Sequence, residues 1–309
     1  MARTKVTVAG AGQTGGSIAR RVAERGYADV VMIDVVEGFA AGKALDLNQT
    51  GPLMGYPPNL IGSTGYDESE DSDICVITSG FPRQPGMSRD DLLLKNKEIV
   101  EDVAGKLAEK SPDCKFIVLT NPVDAMAQLV HSVTSFSKER VIGQGGILDS
   151  ARYRTFIAWE LSVSPQDVSG FVLGGHGDAM VPVPRYTSVA GVPVGELLPQ
   201  DRLDAIIQRT RDGGAEIVKL LQRGSAYEAP GEAVMLMIDA IVLDQKRLFP
   251  CSVLLEGEYG ISGTFVGVLV KLGAQGYEGL IDVSLTEEEL AALHKSADGV
   301  RELVEIMGV

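Results

Sequence analysis

The chain has 309 residues, with 28 lysines and arginines against 42 aspartates and glutamates, and its formal net charge is −14. This acidic balance argues against a protein that binds nucleic acids or anionic membranes, because both partners are recognised by surplus basic residues. Hydrophobic residues make up 45% of the sequence, as in folded globular proteins, which excludes wholesale disorder.

The sequence shows no pattern of membrane insertion, export or local metal binding. No stretch reaches the roughly 18 apolar residues that indicate a membrane-spanning helix. The first residues lead directly into a strand-like run, and no signal peptide is expected. Cys75, Cys114 and Cys251 are scattered in apolar surroundings and are predicted to be buried free thiols in a reducing cytoplasm. Neither these cysteines nor the three histidines have the spacing of a metal site.

The first half of the chain alternates short apolar runs with helical patterns. The runs are continuously apolar, which is typical of parallel strands that helices cover on both faces. The repeated alternation predicts an α/β protein with a Rossmann-type, doubly wound parallel sheet. Predicted strands are 6–9, 30–33, 74–78 and 116–120, and a predicted helix is 13–26.

The second half has a different texture and is expected to form a mixed α+β domain. Thr286 is the predicted N-cap of a last helix, with Glu289 completing a capping box. We expect a Rossmann domain over 1–147 and an α+β domain over 148–309, without a flexible linker. Within the second, predicted helices are 149–163, 201–223 and 231–247, and predicted strands are 168–173, 251–256 and 264–272.

A glycine-rich loop lies between the first predicted strand and helix. Gly10-Ala11-Gly12-Gln13-Thr14-Gly15 matches G-x-G-x-x-G, a weak motif alone but one whose strand–loop–helix context favours dinucleotide binding over a structural turn. The glycines let backbone N–H groups approach a pyrophosphate at the helix N-terminus. Asp34, which ends the second strand, is placed to bind ribose hydroxyls. Because no arginine follows it, NAD is the predicted cofactor rather than NADP.

Two polar segments follow later strands. Residues 80–91 form a predicted loop that carries Arg83 and Arg89. In an open parallel sheet such a loop lies over the ligand crevice, although two solvated surface arginines would have the same composition. Leu119-Thr120-Asn121 ends the fourth predicted strand, and Asn121 is either a site residue or a helix N-cap.

The second half begins with two further candidate groups. Asp149 and Arg152 lie three positions apart on one face of a predicted helix. They form either a surface ion pair or part of a functional site. His176 lies among glycines in Gly174-Gly175-His176-Gly177-Asp178, at the end of an apolar strand. Nothing local would cover its ring, so a functional histidine is favoured over a structural one.

The chain resembles the lactate/malate dehydrogenase superfamily along nearly its whole length. The resemblance is carried by GAGQTG, Asp34, PRQPGMSR, TNPVD, LDSARYR and GGHGD, which occur in this order. Six spaced motifs are far more specific than the glycine loop alone. Within the superfamily, the sequence is similar to the malate dehydrogenases that are built like lactate dehydrogenase. One local departure is Ser225-Ala226-Tyr227-Glu228, where relatives more often have SAYY.

The resemblance implies a role for each matching residue. His176 is the general acid/base and Asp149 orients it and stabilises its protonated form. Arginines bind and polarise the substrate: Arg152 holds the C1 carboxylate, Arg89 polarises the C2 carbonyl, and Arg83 binds the far carboxylate. Asn121 hydrogen-bonds the substrate. The implied NAD contacts are Gly10, Ala11, Gly12, Gln13, Thr14, Gly15, Asp34, Asn96, Leu119, Thr120 and Asn121.

These roles agree with the chemistry of hydride transfer. Charge develops on the carbonyl oxygen, so a proton donor and a fixed cation belong there. A planar guanidinium matches a carboxylate better than an ammonium does. At the position of Arg83, lactate dehydrogenases have glutamine and malate dehydrogenases have arginine, which implies a dicarboxylate substrate.

The resemblance therefore implies reversible oxidation of (S)-malate to oxaloacetate with NAD, in the cytoplasm and the tricarboxylic acid cycle. It also implies a homo-oligomer, with a tetramer favoured over a dimer. A lactate or other 2-hydroxyacid dehydrogenase is the alternative of the same class. A non-catalytic dinucleotide-binding module is the alternative of a different class.

Overall fold

A computed structural model describes residues 3–57, 59–81, 88–222 and 224–309. Its first half alternates strands with helices, as predicted. The strands are β1 (Thr4–Ala9), β2 (Ala28–Ile33), β3 (Leu60–Ser63), β4 (Ile74–Ile77), β5 (Lys115–Val118) and β6 (Val141–Gly143). The helices are α1 (Gln13–Arg25), α2 (Phe39–Met54), α3 (Arg89–Lys110) and α4 (Val123–Thr134).

The six strands form a parallel sheet in the order β3-β2-β1-β4-β5-β6. The chain builds outward from β1 to β3, crosses back, and builds outward again from β4 to β6. The predicted Rossmann-type, doubly wound α/β fold is confirmed. Because the strand order reverses between β1 and β4, the loops that follow them flank a crevice at the carboxyl edge of the sheet.

Helix α1 shows how the sequence produces this packing. Ile18, Ala19 and Val22 recur on one face of the helix and are fully buried. Gly26 ends the helix with φ of 73°, a left-handed conformation that glycine adopts without strain. The predicted helix over 13–26 is therefore confirmed, with its last residue as the C-cap.

The second half contains five helices and eight strands within the described residues. Across the described ranges, no helix is long and apolar enough to cross a membrane. The helices are α5 (Gly146–Leu161), α6 (Val194–Leu197), α7 (Gln200–Leu221), α8 (Glu228–Val242) and α9 (Glu287–Met307). The strands are β7 (Val168–Ser169), β8 (Val172–Gly174), β9 (Met180–Pro182), β10 (Ser188–Val189), β11 (Val192–Pro193), β12 (Arg247–Glu256), β13 (Ser262–Gly273) and β14 (Gly276–Leu280).

Strands β12, β13 and β14 extend the parallel sheet of the first half. β12 lies antiparallel to β6, with Ser252 opposite Gly143, and β13 and β14 follow as antiparallel neighbours. A Cβ on Gly143 would lie 2.8 Å from the Ser252 Cβ, so glycine permits this close approach. One nine-stranded sheet thus joins the two halves.

Two predicted boundaries in the second half are wrong. The helix predicted over 231–247 ends at Val242, because Asp244 and Lys246 adopt left-handed backbone conformations with φ of 49° and 54°. The strand predicted over 168–173 is divided into β7 and β8. These two strands belong to different small sheets.

The start of the last helix follows its prediction. Thr286 Oγ1 accepts a hydrogen bond of 3.1 Å from the Glu289 N–H, and Glu289 Oε2 accepts one of 2.8 Å from the Thr286 N–H. This reciprocal pair is the predicted capping box, and it satisfies two backbone donors that the helix start would otherwise leave unpaired.

Candidate active site

The loops at the carboxyl edge of the sheet are joined by short hydrogen bonds. Thr78, directly after β4, donates to the Gly10 carbonyl at 2.9 Å. Thr120, two residues after β5, donates to the Ser79 carbonyl at 2.6 Å. The segments that follow β1, β4 and β5 therefore form one continuous surface, in the place where open parallel sheets bind ligands.

The glycine-rich loop fits a bound pyrophosphate. Gly10 has φ of 98°, and a Cβ there would lie 2.8 Å from the Ser79 nitrogen; a Cβ on Gly15 would lie 1.8 Å from the Gly10 oxygen. The protein's own packing therefore requires glycine at both positions. A Cβ on Gly12 would meet no protein atom within 4 Å. That open space lies at the start of α1, which has no side-chain cap and no acidic residue in its first turn, so a phosphate can approach the backbone.

Asp34 is held at the edge of this loop. Its carboxylate accepts hydrogen bonds from the Ala11 N–H at 2.9 Å and the Val36 N–H at 3.1 Å. Val35 and Val36 are exposed and offer no cation. A fixed, partly exposed carboxylate beside the loop fits ribose hydroxyls and repels a 2′-phosphate.

His176 and Asp149 form a buried pair across two elements. His176 lies in the turn of the hairpin between β8 and β9, and its Nδ1 is 2.8 Å from Asp149 Oδ2 on α5. The Asp149 side chain is 1% exposed and that of His176 is 17% exposed. Gly145 permits the approach, because a Cβ there would lie 3.2 Å from the His176 Cβ. A carboxylate at this distance favours the tautomer with its proton on Nδ1, and in that tautomer Nε2 can exchange a proton with a ligand.

The pKa of His176 is raised above its usual value of 6.5. Burial is the largest single influence and lowers the pKa, and the Arg152 charge lowers it further. The charge and hydrogen bond of Asp149, with a contribution from Asp124, outweigh them. The pair therefore holds a proton more readily than a free histidine does.

Arg152 lies against the same carboxylate. Its Nη1 is 3.2 Å from Asp149 Oδ1, and its Nε is buried with no hydrogen-bond partner among the described residues. A surface ion pair is excluded, because these side chains are 12% and 1% exposed. Gly213 on α7 leaves room for the arginine, since a Cβ there would lie 3.1 Å from its Cδ. A buried guanidinium with an unused donor can bind a carboxylate.

Asn121 and Asn96 occupy different positions in the site. Asn121 is exposed after β5 and is not the N-cap of α4; that position is Pro122, so the N-cap alternative is wrong. Asn96 is 4% exposed. It accepts from the Phe81 N–H at 2.7 Å and donates to the Asn121 carbonyl at 2.9 Å. Asn96 therefore links the loops after β4 and β5, while its contact with NAD stays a prediction.

Of the two loop arginines, the structure describes only the backbone of Arg89. Arg83 lies outside the described residues, as does the Arg89 side chain, although Arg89 begins α3. The segments on either side are well anchored: Asn96 binds Phe81, and Ser88 forms a capping box with Asp91. The roles of Arg83 and Arg89 stay predictions.

Sequence reasoning missed the residues that support the site. The clearest available signal was Gly213-Gly214 inside the helical pattern of α7. A glycine in a helix interior costs about 1 kcal/mol relative to alanine, so two in succession indicate a close contact. The link made by Asn96 had no local signal, because its partners lie 15 and 25 residues away.

The chain matches two family models that together cover nearly all of it. Residues 4–143 match the lactate/malate dehydrogenase NAD binding domain, and residues 147–307 match the lactate/malate dehydrogenase alpha/beta C-terminal domain. The malate dehydrogenase of Thermomicrobium roseum is 52% identical over 99% of this chain and 98% of its own. That of a Geobacillus species is 50% identical over 99% of each chain.

Solved structures agree with these matches. The malate dehydrogenase of Salinibacter ruber has a TM-score of 0.95 and 44% identity, covering 99% of this chain and 98% of its own. That of Picrophilus torridus, in its apo form, has a TM-score of 0.97 and 44% identity at the same coverage. The lactate dehydrogenase of Eimeria maxima with NADH and oxamate has a TM-score of 0.96 and 36% identity, covering 100% and 95%. With its dinucleotide loop and buried His–Asp pair on this fold, the chain belongs to the lactate/malate dehydrogenase family.

Proposed function

We propose that this chain is an NAD-dependent malate dehydrogenase, which interconverts (S)-malate plus NAD⁺ with oxaloacetate plus NADH and a proton. The observation that carries the proposal is the buried Asp149–His176 pair with Arg152 beside it, next to a glycine loop that fits a pyrophosphate. Malate dehydrogenases about 50% identical over nearly the whole chain support the same activity.

His176 moves the proton of the reaction. When bound, NAD supplies the hydride acceptor, and NADH the hydride donor, at C2 of the substrate. In reduction, protonated His176 gives its Nε2 proton to the C2 oxygen as the new C2–H bond forms. In oxidation, neutral His176 takes the proton of the C2 hydroxyl. Asp149 keeps the ring oriented and stabilises its charged form in both directions.

The arginines and Asn121 hold the substrate. Arg152 binds the C1 carboxylate through its free guanidinium donors. Arg89 polarises the C2 carbonyl, and Asn121 hydrogen-bonds the substrate. Arg83 binds the second carboxylate, which favours a dicarboxylate over a lactate-type substrate. The alternative of a non-catalytic dinucleotide-binding module leaves the buried His–Asp pair without a purpose.

The direct test compares substrates and cofactors in one assay. Oxaloacetate with NADH should be reduced rapidly, (S)-malate with NAD⁺ should be oxidised, and buffer with NADH should show no oxidation of the cofactor. Pyruvate in place of oxaloacetate tests the lactate dehydrogenase alternative. NADH binding without turnover of any 2-oxo acid would support the non-catalytic module and refute the proposal.

Asp34→Ser is expected to narrow the preference for NADH over NADPH by about tenfold or more, equivalent to ~1.4 kcal/mol. The reason is that the Asp34 carboxylate, fixed by Ala11 and Val36, repels a 2′-phosphate. The measurement is kcat/KM for both cofactors. Asp113→Ser is a matched control, because Asp113 is exposed just before β5, at the opposite edge of the sheet. Equal use of NADH and NADPH by the unmodified protein would refute the assignment.

The raised pKa of His176 predicts opposite pH profiles for the two directions. Reduction needs the protonated ring, so its rate should fall as pH rises through a pKa above 6.5. Oxidation needs the neutral ring and should gain over the same interval. Asp149→Asn removes the main stabilising charge, so reduction should decline at lower pH and kcat should drop by about 10²-fold or more. Identical profiles for the parent and Asp149→Asn would contradict this role.

We further propose that residues 1–147 are the cofactor domain and 148–309 the substrate domain; the break between the two matched family regions supports this division. Exposed apolar side chains such as Leu53 and Leu220, which are 84% and 75% exposed, support a homo-oligomer, for which a tetramer is the proposed state and a dimer the alternative. Light scattering of the purified protein measures the number of subunits directly.

Three buried free thiols support a location in a reducing cytoplasm, where the tricarboxylic acid cycle would use the reaction.

A further inference from the structure

The turn that carries His176 is held by side chains from distant segments. Asp124 Oδ2 accepts a 3.1 Å hydrogen bond from the His176 backbone N–H. Ser296 Oγ accepts one of 2.6 Å from the Gly175 N–H. Ser252, on β12, donates at 2.6 Å to the other oxygen of Asp124. Helix α4, strand β12 and helix α9 therefore meet at the backbone of the acid/base residue.

This cluster is buried and closely packed. Asp124 is 6% exposed, and Ser252 and Ser296 are each 2% exposed. A Cβ on Gly175 would lie 3.0 Å from Ser296 Oγ and 3.3 Å from Asp124 Oδ2, so glycine is what allows the turn to reach both groups. Such packing leaves the backbone of the turn little freedom.

Asp124 is placed as a charged acceptor. Its two oxygens receive the Ser252 hydroxyl and the His176 N–H, which is the pattern of an ionised carboxylate. Within the described part of the chain, it forms no ion pair with a lysine or arginine. It lies in the first turn of α4, where the helix dipole favours a negative charge.

The charged groups that act on His176 come from two helices. Asp149 and Arg152 lie on α5, and Asp124 lies on α4. Asp178, in the same turn as His176, is exposed, and α9 contributes the neutral Ser296. Asp124 is therefore the second carboxylate that favours protonated His176, and burial raises its own pKa despite the two hydrogen bonds.

We propose that Asp124 is a positioning residue for the acid/base step, which fixes the backbone of His176, whose ring Asp149 holds, and adds its charge to the stabilisation of the protonated ring. This inference rests on the proposed dehydrogenase function. Asp149 orients the ring, whereas Asp124 and Ser296 orient the turn that carries it.

The test is Asp124→Asn, which keeps the size of the side chain and removes its charge. The titration midpoint of His176, measured by NMR on protein with isotope-labelled histidine, should fall by about 0.5 to 1 unit. Only three histidines are present, and His176→Asn assigns the signal. The pH at which oxaloacetate reduction declines should fall by a similar amount, with kcat about tenfold lower and NADH affinity unchanged.

Asp239→Asn is the matched control for loss of a buried carboxylate. Asp239 is 7% exposed on α8 and is bound by Arg25 and Tyr27. Its replacement should lower thermal stability and leave the His176 midpoint unchanged. An unchanged midpoint in Asp124→Asn, with only a stability loss like that of the control, would overturn the proposal.

Ser252→Ala decides the case if Asp124→Asn does not fold. It removes the hydroxyl that favours the charged form of Asp124, so the His176 midpoint should fall below that of the parent; no change would overturn the proposal. The NMR titration does not depend on turnover. If the unmodified protein fails to reduce oxaloacetate, the proposed function is refuted. If the unmodified protein is active but the His176 midpoint is unchanged in the variants, only the role of Asp124 is refuted.

Discussion

His176→Asn is expected to lower kcat for oxaloacetate reduction by about 10²–10⁴-fold, the range that a positioned general acid contributes. Asparagine cannot donate a proton at the position of Nε2, whereas Asp149 and Arg152 remain in place. NADH affinity should be retained, because the glycine loop and Asp34 lie in the first half of the chain, whereas His176 lies in the second. The measurements are steady-state kcat and NADH binding by fluorescence.

His294→Asn is the control for this substitution. His294 is an exposed residue of α9 that bonds to the Tyr259 carbonyl, so its variant should turn over at the parent rate. If His176→Asn retains turnover within about tenfold of the parent, His176 is not the acid/base of the reaction.

If Arg83 binds the second carboxylate, Arg83→Gln is expected to lower kcat/KM for oxaloacetate by roughly 30- to several-thousand-fold, because truncating one partner of a desolvated ion pair costs ~2–5 kcal/mol. Oxaloacetate brings two carboxylates to a protein whose net charge is −14, so each needs a cation. On the same assumption pyruvate reduction should rise, because the substitution removes a guanidinium that the methyl group of pyruvate would leave unpaired. The measurement is kcat/KM for both oxo acids.

Arg89→Gln separates the two loop arginines. If Arg89 polarises the C2 carbonyl, which both oxo acids share, its loss should lower both reactions and leave their ratio nearly unchanged. A change of less than about tenfold in the ratio for Arg83→Gln, ~1.4 kcal/mol, would show that Arg83 does not bind the second carboxylate.

The fold class was predictable because local patterns carry it. Continuous apolar runs before and after the glycine loop indicate buried parallel strands. Gly26 marks the end of α1 both in the sequence pattern and in the structure. The joining of the two halves was not predictable, since it depends on β6, which has three residues, pairing with β12. Strand β12 begins at Arg247, which lies opposite Leu272 of β13, whereas the helical pattern of α8 led to a helix predicted as far as residue 247.

The candidate-site residues that lie within recognisable sequence motifs were predictable. Asp149, Arg152 and His176 are distinguished by their neighbours in sequence, and the structure brings them within hydrogen-bond distance. The residues that hold these three side chains in place have no such distinguishing neighbours in the sequence. Ser296 lies 121 residues from its partner Gly175, so only the folded chain shows their contact.

The central claim is that the site reduces a 2-oxo dicarboxylate with NADH. The most direct test is the ratio of kcat/KM for oxaloacetate to that for pyruvate in the unmodified protein. One desolvated ion pair, at ~2 kcal/mol or more, predicts a ratio of about 30 or more in favour of oxaloacetate. A ratio near one, or a preference for pyruvate, would contradict the claim.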